Sequence, residues 1–376
     1  MSQANANDEI RRHLFYDTSH SPSLIDLVGY DNAKDIIDFC FIANPYYPTP
    51  DMLSQLQSML PTLIKSYPSS IPDLSNKFLA EVLHVDPRHL IIGNGATELI
   101  TRIEQDLIKN IAIPVPTFSE YLEKLESRHA AKLYSLSPQS DYALDLDAFL
   151  KWIEEKKLDT ALIINPGNPT GQLLPLEHML RFLRDAQDLE LVIVDESFID
   201  FSGNDIPTLL PYTGQHPNLL IVRSMSKHCG IPGLRLGYCY TKNTHILDYL
   251  RSRVPAWNIN TLAEYFLSLL PSTEKQYHES RRQVIEDVRW LQNALEKVPL
   301  LKVYPTGANF VLISIDNGMT AKELQETLLH KYKMYVRDCS NKVGMDNYHI
   351  RIASQGKEKD PLLIKALSKI STDALL

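Results

Sequence analysis

The segment Ser224-Met225-Ser226-Lys227, followed by Gly233-Leu234-Arg235-Leu236-Gly237, combines a primary amine with hydroxyl and guanidinium donors. A lysine amine can form an imine with an aldehyde and later carry a proton. Ser224, Ser226 and Arg235, brought to one strand end, supply the donors that would hold a phosphate on the same molecule. An isolated Ser-x-Ser-Lys would be read as a solvated loop. The Gly-x-Arg-x-Gly that follows at a fixed distance favours chemistry instead.

Three further segments extend the set. Asp195-Glu196 closes the apolar run Leu191-Val192-Ile193-Val194. A carboxylate at such a strand end can pair with a protonated ring nitrogen and keep the ring an electron sink, although an aspartate alone there would be a cap or turn residue. Asn165-Pro166-Gly167-Asn168-Pro169-Thr170-Gly171 follows the run Ala161 to Ile164, and its proline and glycine content fixes a loop with Asn168 placed to bond a ring oxygen. Gly93-Asn94-Gly95-Ala96-Thr97-Glu98 passes from strand to helix, where free backbone N–H groups suit a phosphate. Phe118 is a candidate to stack on an aromatic ring, with core packing as its default role. An enzyme that uses pyridoxal 5′-phosphate (PLP) needs such a lysine with hydroxyl and guanidinium donors nearby, so Lys227 is expected to carry PLP as a Schiff base.

The elements that must position these residues are legible as short apolar runs between residues 90 and 241. They are Leu90 to Gly93, Ile111 to Val115, Ala161 to Ile164, Leu191 to Val194, Leu220 to Arg223 and Leu236 to Tyr240. Near-continuous apolar strands suit a sheet buried on both faces, and the helical spacing over Ala96 to Lys109, Asp147 to Glu155 and Leu176 to Ala186 supplies crossovers. The expected fold is α/β, a three-layer αβα sandwich with a mostly parallel sheet and ligands at the carboxyl ends of its strands. Residues 56–255 are expected to form this large PLP-binding domain. Residues 1–55 and 256–376 should form a smaller α+β domain, with a long helix over Glu274 to Glu296 and strands near Asn309 to Ile315 and Tyr348 to Ala353.

Composition bounds the partners. A net charge of −8 excludes a broad nucleic-acid footprint, so an anionic ligand must be held by local arginines. Cys40, Cys229, Cys239 and Cys339 are scattered, without metal or redox spacing. Met1 to Arg12 has no apolar signal-peptide core, and no apolar run approaches the roughly 18 residues of a membrane span, so a soluble cytoplasmic protein is expected.

These motifs, in this order, closely resemble the class I/II aminotransferases of the fold-type I PLP enzymes, from about Asp38 to Ala366. The resemblance implies Lys227 for the Schiff base, Asp195 for the ring nitrogen and Asn168 for the 3-oxygen. It implies Gly95, Ala96, Ser224, Ser226 and Arg235 for the cofactor phosphate. Tyr67, in Ser66-Tyr67-Pro68, matches a tyrosine that in this family reaches the phosphate from a partner subunit, which implies a homodimer with shared sites.

Within the family the chain is most similar to threonine-phosphate decarboxylases of cobalamin side-chain synthesis, and next to histidinol-phosphate aminotransferases. Phe198-Ile199-Asp200-Phe201, Ile231 to Tyr238, Trp257 to Asn260 and the stretch from Arg337 to Arg351 carry that similarity. Asp17-Thr18-Ser19-His20 resembles a substrate-phosphate segment, which makes His20 a substrate-binding candidate, but Ser21-Pro22 replaces two glycines usual there. Ile42 stands where an asparagine contacting substrate is usual. Arg337 and Arg351 occur in both groups and imply a doubly anionic substrate, while Arg337 beside Asp338 also reads as a surface ion pair.

The implied reaction is decarboxylation of L-threonine O-phosphate or L-serine O-phosphate, with transamination of the histidinol-phosphate type as the alternative. The choice is stereoelectronic: the α-carbon bond perpendicular to the cofactor ring breaks, so the grip on phosphate and carboxylate decides which group leaves. A noncatalytic binding protein is a third reading, and the intact Lys227, Asp195, Asn168 and Arg235 oppose it. Borohydride should fix PLP onto Lys227. Lys227→Ala should abolish turnover while PLP still binds noncovalently, and full activity of that variant would defeat the assignment.

Overall fold

The computed structural model describes residues 22–127, 129–316 and 318–375. The expected substrate segment Asp17 to His20, and Ser21 after it, lie outside the described residues. The chain divides into two compact units, one of residues 43–285 with 306–309, the other of residues up to 42 with 286–305 and 310–376.

In the larger unit the apolar runs become seven strands: β1 (Leu90–Asn94), β2 (Ile111–Val115), β3 (Ala131–Ser135), β4 (Thr160–Ile164), β5 (Leu191–Asp195), β6 (Leu219–Ser224) and β7 (Leu236–Tyr240). They form one sheet in the order β1-β7-β6-β5-β4-β2-β3. Every ladder is parallel except the two made by β7, which runs antiparallel to both β1 and β6. Alternate side chains feed two apolar layers. Ile163, Val192, Val194 and Ile221 pack with Phe149, Met179, Phe182 and Phe266 on one face. Leu162, Leu191, Ile193 and Val222 pack with Leu99, Ile103, Leu125 and Leu250 on the other. A sheet buried on both faces requires such uninterrupted runs, and this produces the expected three-layer sandwich.

The crossover helices follow their apolar spacing. Leu146–Lys156 turns Leu146, Phe149 and Ile153 inward, begins where the Asp145 carboxylate accepts the N–H groups of Asp147 and Ala148, and ends with Lys157 in the left-handed region. Leu176–Asp185 buries Met179, Phe182 and Leu183. Strand β3 was not among the expected strands. It is an edge strand whose Lys132 and Ser135 are exposed, so its sequence has no continuous apolar run.

The smaller unit has an antiparallel sheet in the order Arg337–Asp338, His349–Ala353, Phe310–Ile315, Leu301–Val303, and a short parallel pair of Ile37–Asp38 with Met334–Tyr335. Val311, Ile313, Ile350 and Ile352 pack against Leu291, Leu295, Leu324, Leu328, Leu363 and Leu367. This is the expected α+β unit. Its limits differ from the expected breaks at residues 55 and 255. Helix Pro50–Lys65 packs on helix Thr261–Leu269, where the Thr261 hydroxyl donates to the Leu63 carbonyl at 2.8 Å, so both flanks belong to the larger unit.

Among the described residues no helix is long and apolar enough to cross a membrane, no group of histidine, cysteine or acidic residues could hold a metal ion, and the four cysteines are buried and not joined in disulfides.

Phe149 is fully buried and its ring stacks on Phe182 at 6.3 Å. Phe149→Ala should cost about 3–5 kcal/mol of stability through lost transfer energy and a residual cavity. Chemical denaturation of the wild type and variant measures it.

Candidate active site

Parallel strands β2, β4, β5 and β6 all end at the same edge of the sheet, and the reversal of β7 brings the chain back from that edge beside them. Register fixes the meeting. Asn94 of β1 pairs with Leu236 and Ser224 of β6 pairs with Gly237, so Gly95, Ala96, Ser224 and Arg235 cluster around the start of β7.

Close approach there depends on glycine. A Cβ on Gly237 would lie 2.2 Å from the Ala96 nitrogen, and one on Gly95, which has φ +81°, would lie 2.5 Å from Arg235 Nη2. The Arg235 guanidinium therefore stands over the start of helix Ala96–Asp106, which has no side-chain cap. Unfilled N–H groups, helix dipole and guanidinium together make an anion cradle.

Next along the edge, Asp195 is buried with its Oδ1 accepting the Ser197 N–H and its Oδ2 accepting the Tyr121 hydroxyl, both at 2.9 Å. Burial pushes its carboxyl above the usual range, against the Ser197 and Tyr121 hydrogen bonds and the charge of Lys227. A carboxylate held this deep gains most from a cationic N–H partner, as a protonated pyridine provides. Phe118 sets its ring edge against Tyr121 at 6.4 Å between centroids. The Asn165 N–H donates to the Asp195 carbonyl, and the Asn165 side chain bonds Leu174 in both directions, which folds the loop holding the buried Asn168. Thr117 and Asn168 line one cavity of about 40 Å³.

Lys227 occupies a single helical turn, Met225–His228. Its carbonyl accepts the Asn44 N–H at 2.8 Å, and the Asn44 side chain donates to the His228 carbonyl and to the Ser280 hydroxyl. Ser226 is buried, and the Ser224 N–H donates to the Ser197 hydroxyl. Gly95, Ala96, Phe118, Asn168, Asp195, Ser224, Ser226, Lys227 and Arg235 thus gather at one sheet edge. A cradle open to a phosphate, a buried carboxylate and a nearby amine fit PLP. Tyr67 projects from the surface, 84% exposed, with its ring 5.5 Å from that of Trp257.

A family model for aminotransferase class I and II matches residues 24–361. The chain belongs to the class I and II aminotransferase family. It is 36% identical over 369 residues to an L-serine phosphate decarboxylase of Sulfurospirillum multivorans, covering 95% of this chain and 94% of that protein. The structure of a decarboxylase from Sulfurospirillum multivorans superposes with a TM-score of 0.86 at 32% identity, over 99% of this chain and all of that one. An L-threonine-O-3-phosphate decarboxylase from Porphyromonas gingivalis superposes with a TM-score of 0.78 at 25% identity, over 89% and 99% of the two chains.

In this member of the family the smaller unit carries the two candidate substrate arginines. Arg337 and Arg351 face each other across one antiparallel ladder and are 5% and 7% exposed, so Arg337 is not the surface ion pair that its neighbour Asp338 suggests. Arg337 Nη2 donates to Asn341 Oδ1 at 2.8 Å, and Arg351 Nη2 donates to the Cys40 carbonyl at 3.2 Å. Burial, and the charge of Arg337, lower the Arg351 pKa below the usual value. Burial pushes the Asp38 carboxyl up to about 6, although it accepts the N–H groups of Cys40 and Phe41 and feels Arg351. Ile42 is buried in the same unit.

Several residues that support the site were given no supporting role from the sequence. Tyr121 and Asn44 have no local signal, because each acts on a partner far along the chain. Glu196 and Arg223 did carry one: a charge at the end of a fully apolar run needs a partner once the run is buried. They bond each other at 2.7 Å.

Asp195→Asn should leave the fold intact and lower kcat by roughly 100-fold or more, about 2.7 kcal/mol, by weakening the electron sink. A near wild-type kcat would reduce Asp195 to a strand-end cap.

Proposed function

We propose that this protein is a PLP-dependent decarboxylase of O-phospho amino acids that prefers L-serine O-phosphate to L-threonine O-phosphate. The observation that carries the reading is the facing pair Arg337 and Arg351. Two buried guanidiniums repel one another and are stabilised by anions, and their planar forks match carboxylate and phosphate bidentately. A substrate with one of each satisfies both. The choice of serine over threonine, and of carbon dioxide release over amino transfer, draws on the decarboxylases to which the chain is similar over nearly its whole length.

When bound, PLP supplies the electron sink for the electron pair left by departing carbon dioxide. The chain does the rest. Gly95, Ala96, Ser224, Ser226 and Arg235 hold the phosphate of the cofactor, Asn168 its ring oxygen, and Phe118 covers its ring. The Asp195 carboxylate keeps a proton on the ring nitrogen. The Lys227 Nζ anchors the cofactor and then carries a proton to the substrate α-carbon. Arg337, Arg351 and His20 bind the anionic groups of the substrate, and burial of the guanidiniums excludes water that would weaken their grip. Tyr67 is supplied by a second copy of the chain to the phosphate of that copy's partner, in a cytoplasmic homodimer. The product from L-serine O-phosphate is ethanolamine phosphate. A preference for L-threonine O-phosphate would instead give the aminopropanol phosphate of cobalamin side-chain synthesis.

Purified holoenzyme should release carbon dioxide from L-serine O-phosphate with kcat/KM about tenfold above that for L-threonine O-phosphate, a difference one methyl group in a fitted site can make. Adding 2-oxoglutarate should form no stoichiometric glutamate. Glutamate without carbon dioxide would replace the decarboxylase by an aminotransferase.

A further inference from the structure

A one-turn helix cannot fix a catalytic amine by its own hydrogen bonds, so what holds Met225–His228 matters. Asn44 holds its backbone, and Ser197 holds the Ser224 N–H just before it. Its last side chain, His228, is buried and is held by a separate chain of polar contacts. His228 Nδ1 lies 3.0 Å from the Tyr277 hydroxyl, and Cys229 Sγ lies 3.3 Å from the same nitrogen. The Tyr277 hydroxyl donates to Asp200 Oδ1 at 2.7 Å, and Arg223 Nη1 stands 3.5 Å from Asp200 Oδ2. Arg223 also donates to Glu196 Oε2 through Nε at 3.1 Å and Nη2 at 2.7 Å.

Followed through the backbone, these contacts close a ring. Glu196 adjoins Asp195, Arg223 adjoins Ser224, and His228 adjoins Lys227. The ring therefore ties the two segments that carry the carboxylate and the amine to each other at both ends. Directions within it are set by chemistry. Because the Tyr277 hydroxyl gives its hydrogen to Asp200, its oxygen accepts from His228 Nδ1–H. Burial lowers the His228 pKa, so the ring is neutral near pH 7 with its proton on Nδ1. Asp200, although burial pushes it up, is held below its ordinary range by charge and hydrogen bonding, the Arg223 guanidinium and the Tyr277 hydroxyl among them, and so stays ionised.

We infer that His228 and Tyr277 are positioning residues that aim the Lys227 amine, and that their contact decides where the proton is returned after carbon dioxide has left. This rests on the decarboxylase reading. Loss of carbon dioxide leaves one electron pair, which takes one proton. Delivered to the substrate α-carbon, and followed by exchange of the imine bond onto the Lys227 amine, the proton would yield the free amine product and return the cofactor to Lys227. Delivered to the cofactor carbon instead, and followed by hydrolysis with one water, it yields the aldehyde product and pyridoxamine phosphate. An amine aimed at the α-carbon favours the first outcome, and one free to wander does not.

Tyr277→Phe, His228→Leu and His228→Asn, each prepared as holoenzyme, test this. Tyr277→Phe removes one oxygen and keeps the ring contacts with Tyr47 and His228, so it should fold, which thermal unfolding checks. Tyr277→Phe and His228→Leu should each lose PLP about tenfold faster without substrate. Each should also raise pyridoxamine phosphate per carbon dioxide about tenfold, since small misplacements of a catalytic group carry large rate effects. His228→Asn, whose side-chain N–H can stand where Nδ1–H stands, should move both values back towards wild type. Unchanged PLP loss and an unchanged product ratio in the first two variants would overturn the inference, as would equal defects in His228→Asn and His228→Leu. If the wild type releases no carbon dioxide from either phospho amino acid, the decarboxylase reading fails. PLP loss then decides the positioning by itself: faster release supports it and unchanged release overturns it.

Discussion

Arg223 is 2% exposed at the end of a strand buried on both sides, and the ends of β5 and β6 are built around it. A guanidinium removed from water is tolerable only with opposite charge and filled hydrogen bonds, and removing one partner of such a pair costs about 3–5 kcal/mol. Glu196 and Asp200 supply the charge, and the Thr208 hydroxyl accepts a third bond at 2.7 Å. Glu196 also accepts the Leu209 N–H and the Thr208 hydroxyl, so the chain after β5 must fold back over the strand ends. The neighbouring Asp195 and Ser224 inherit their positions from this arrangement.

A second constraint is steric. The phosphate cradle exists because β7 lies against a helix start with no side chain between them, at Gly237 and Gly95. The Arg235 backbone takes a left-handed turn, with φ 57°, just before β7 begins, and this lets its guanidinium swing over the cradle. Sheet topology, two missing Cβ atoms and one unusual backbone angle thus act together.

Much of this is legible in the sequence because its cause is local. Buried parallel strands require unbroken apolar runs, so β4, β5 and β6 announce themselves, and the loop from Asn165 to Gly171 is written in its prolines and glycines. The order of the motifs then gives the identity of the site. What escapes has causes distributed along the chain. β3 escapes because one flank faces solvent. The unit limits escape because helix Pro50–Lys65 is held by a helix some 200 residues later. Tyr121, Asn44 and Tyr277 escape because a hydrogen bond across the fold leaves no periodicity to read. Arg223 and Glu196 were visible as misplaced charges, yet nothing local said that they belong to each other.

The reversed strand also sets an order of events in synthesis. Among the described residues β1 pairs only with β7, so Leu90 waits for Tyr240, about 150 residues later, before its edge is hydrogen-bonded. As the chain leaves the ribosome, the strands from β2 to β6 can assemble first, with the helix start at Ala96 already made but its arginine not yet translated. Contacts of such long sequence separation close late. A nascent chain therefore has Asp195 and the start of helix Ala96–Asp106 in place before Arg235 reaches them, and the phosphate cradle is completed only when β7 pairs with β1.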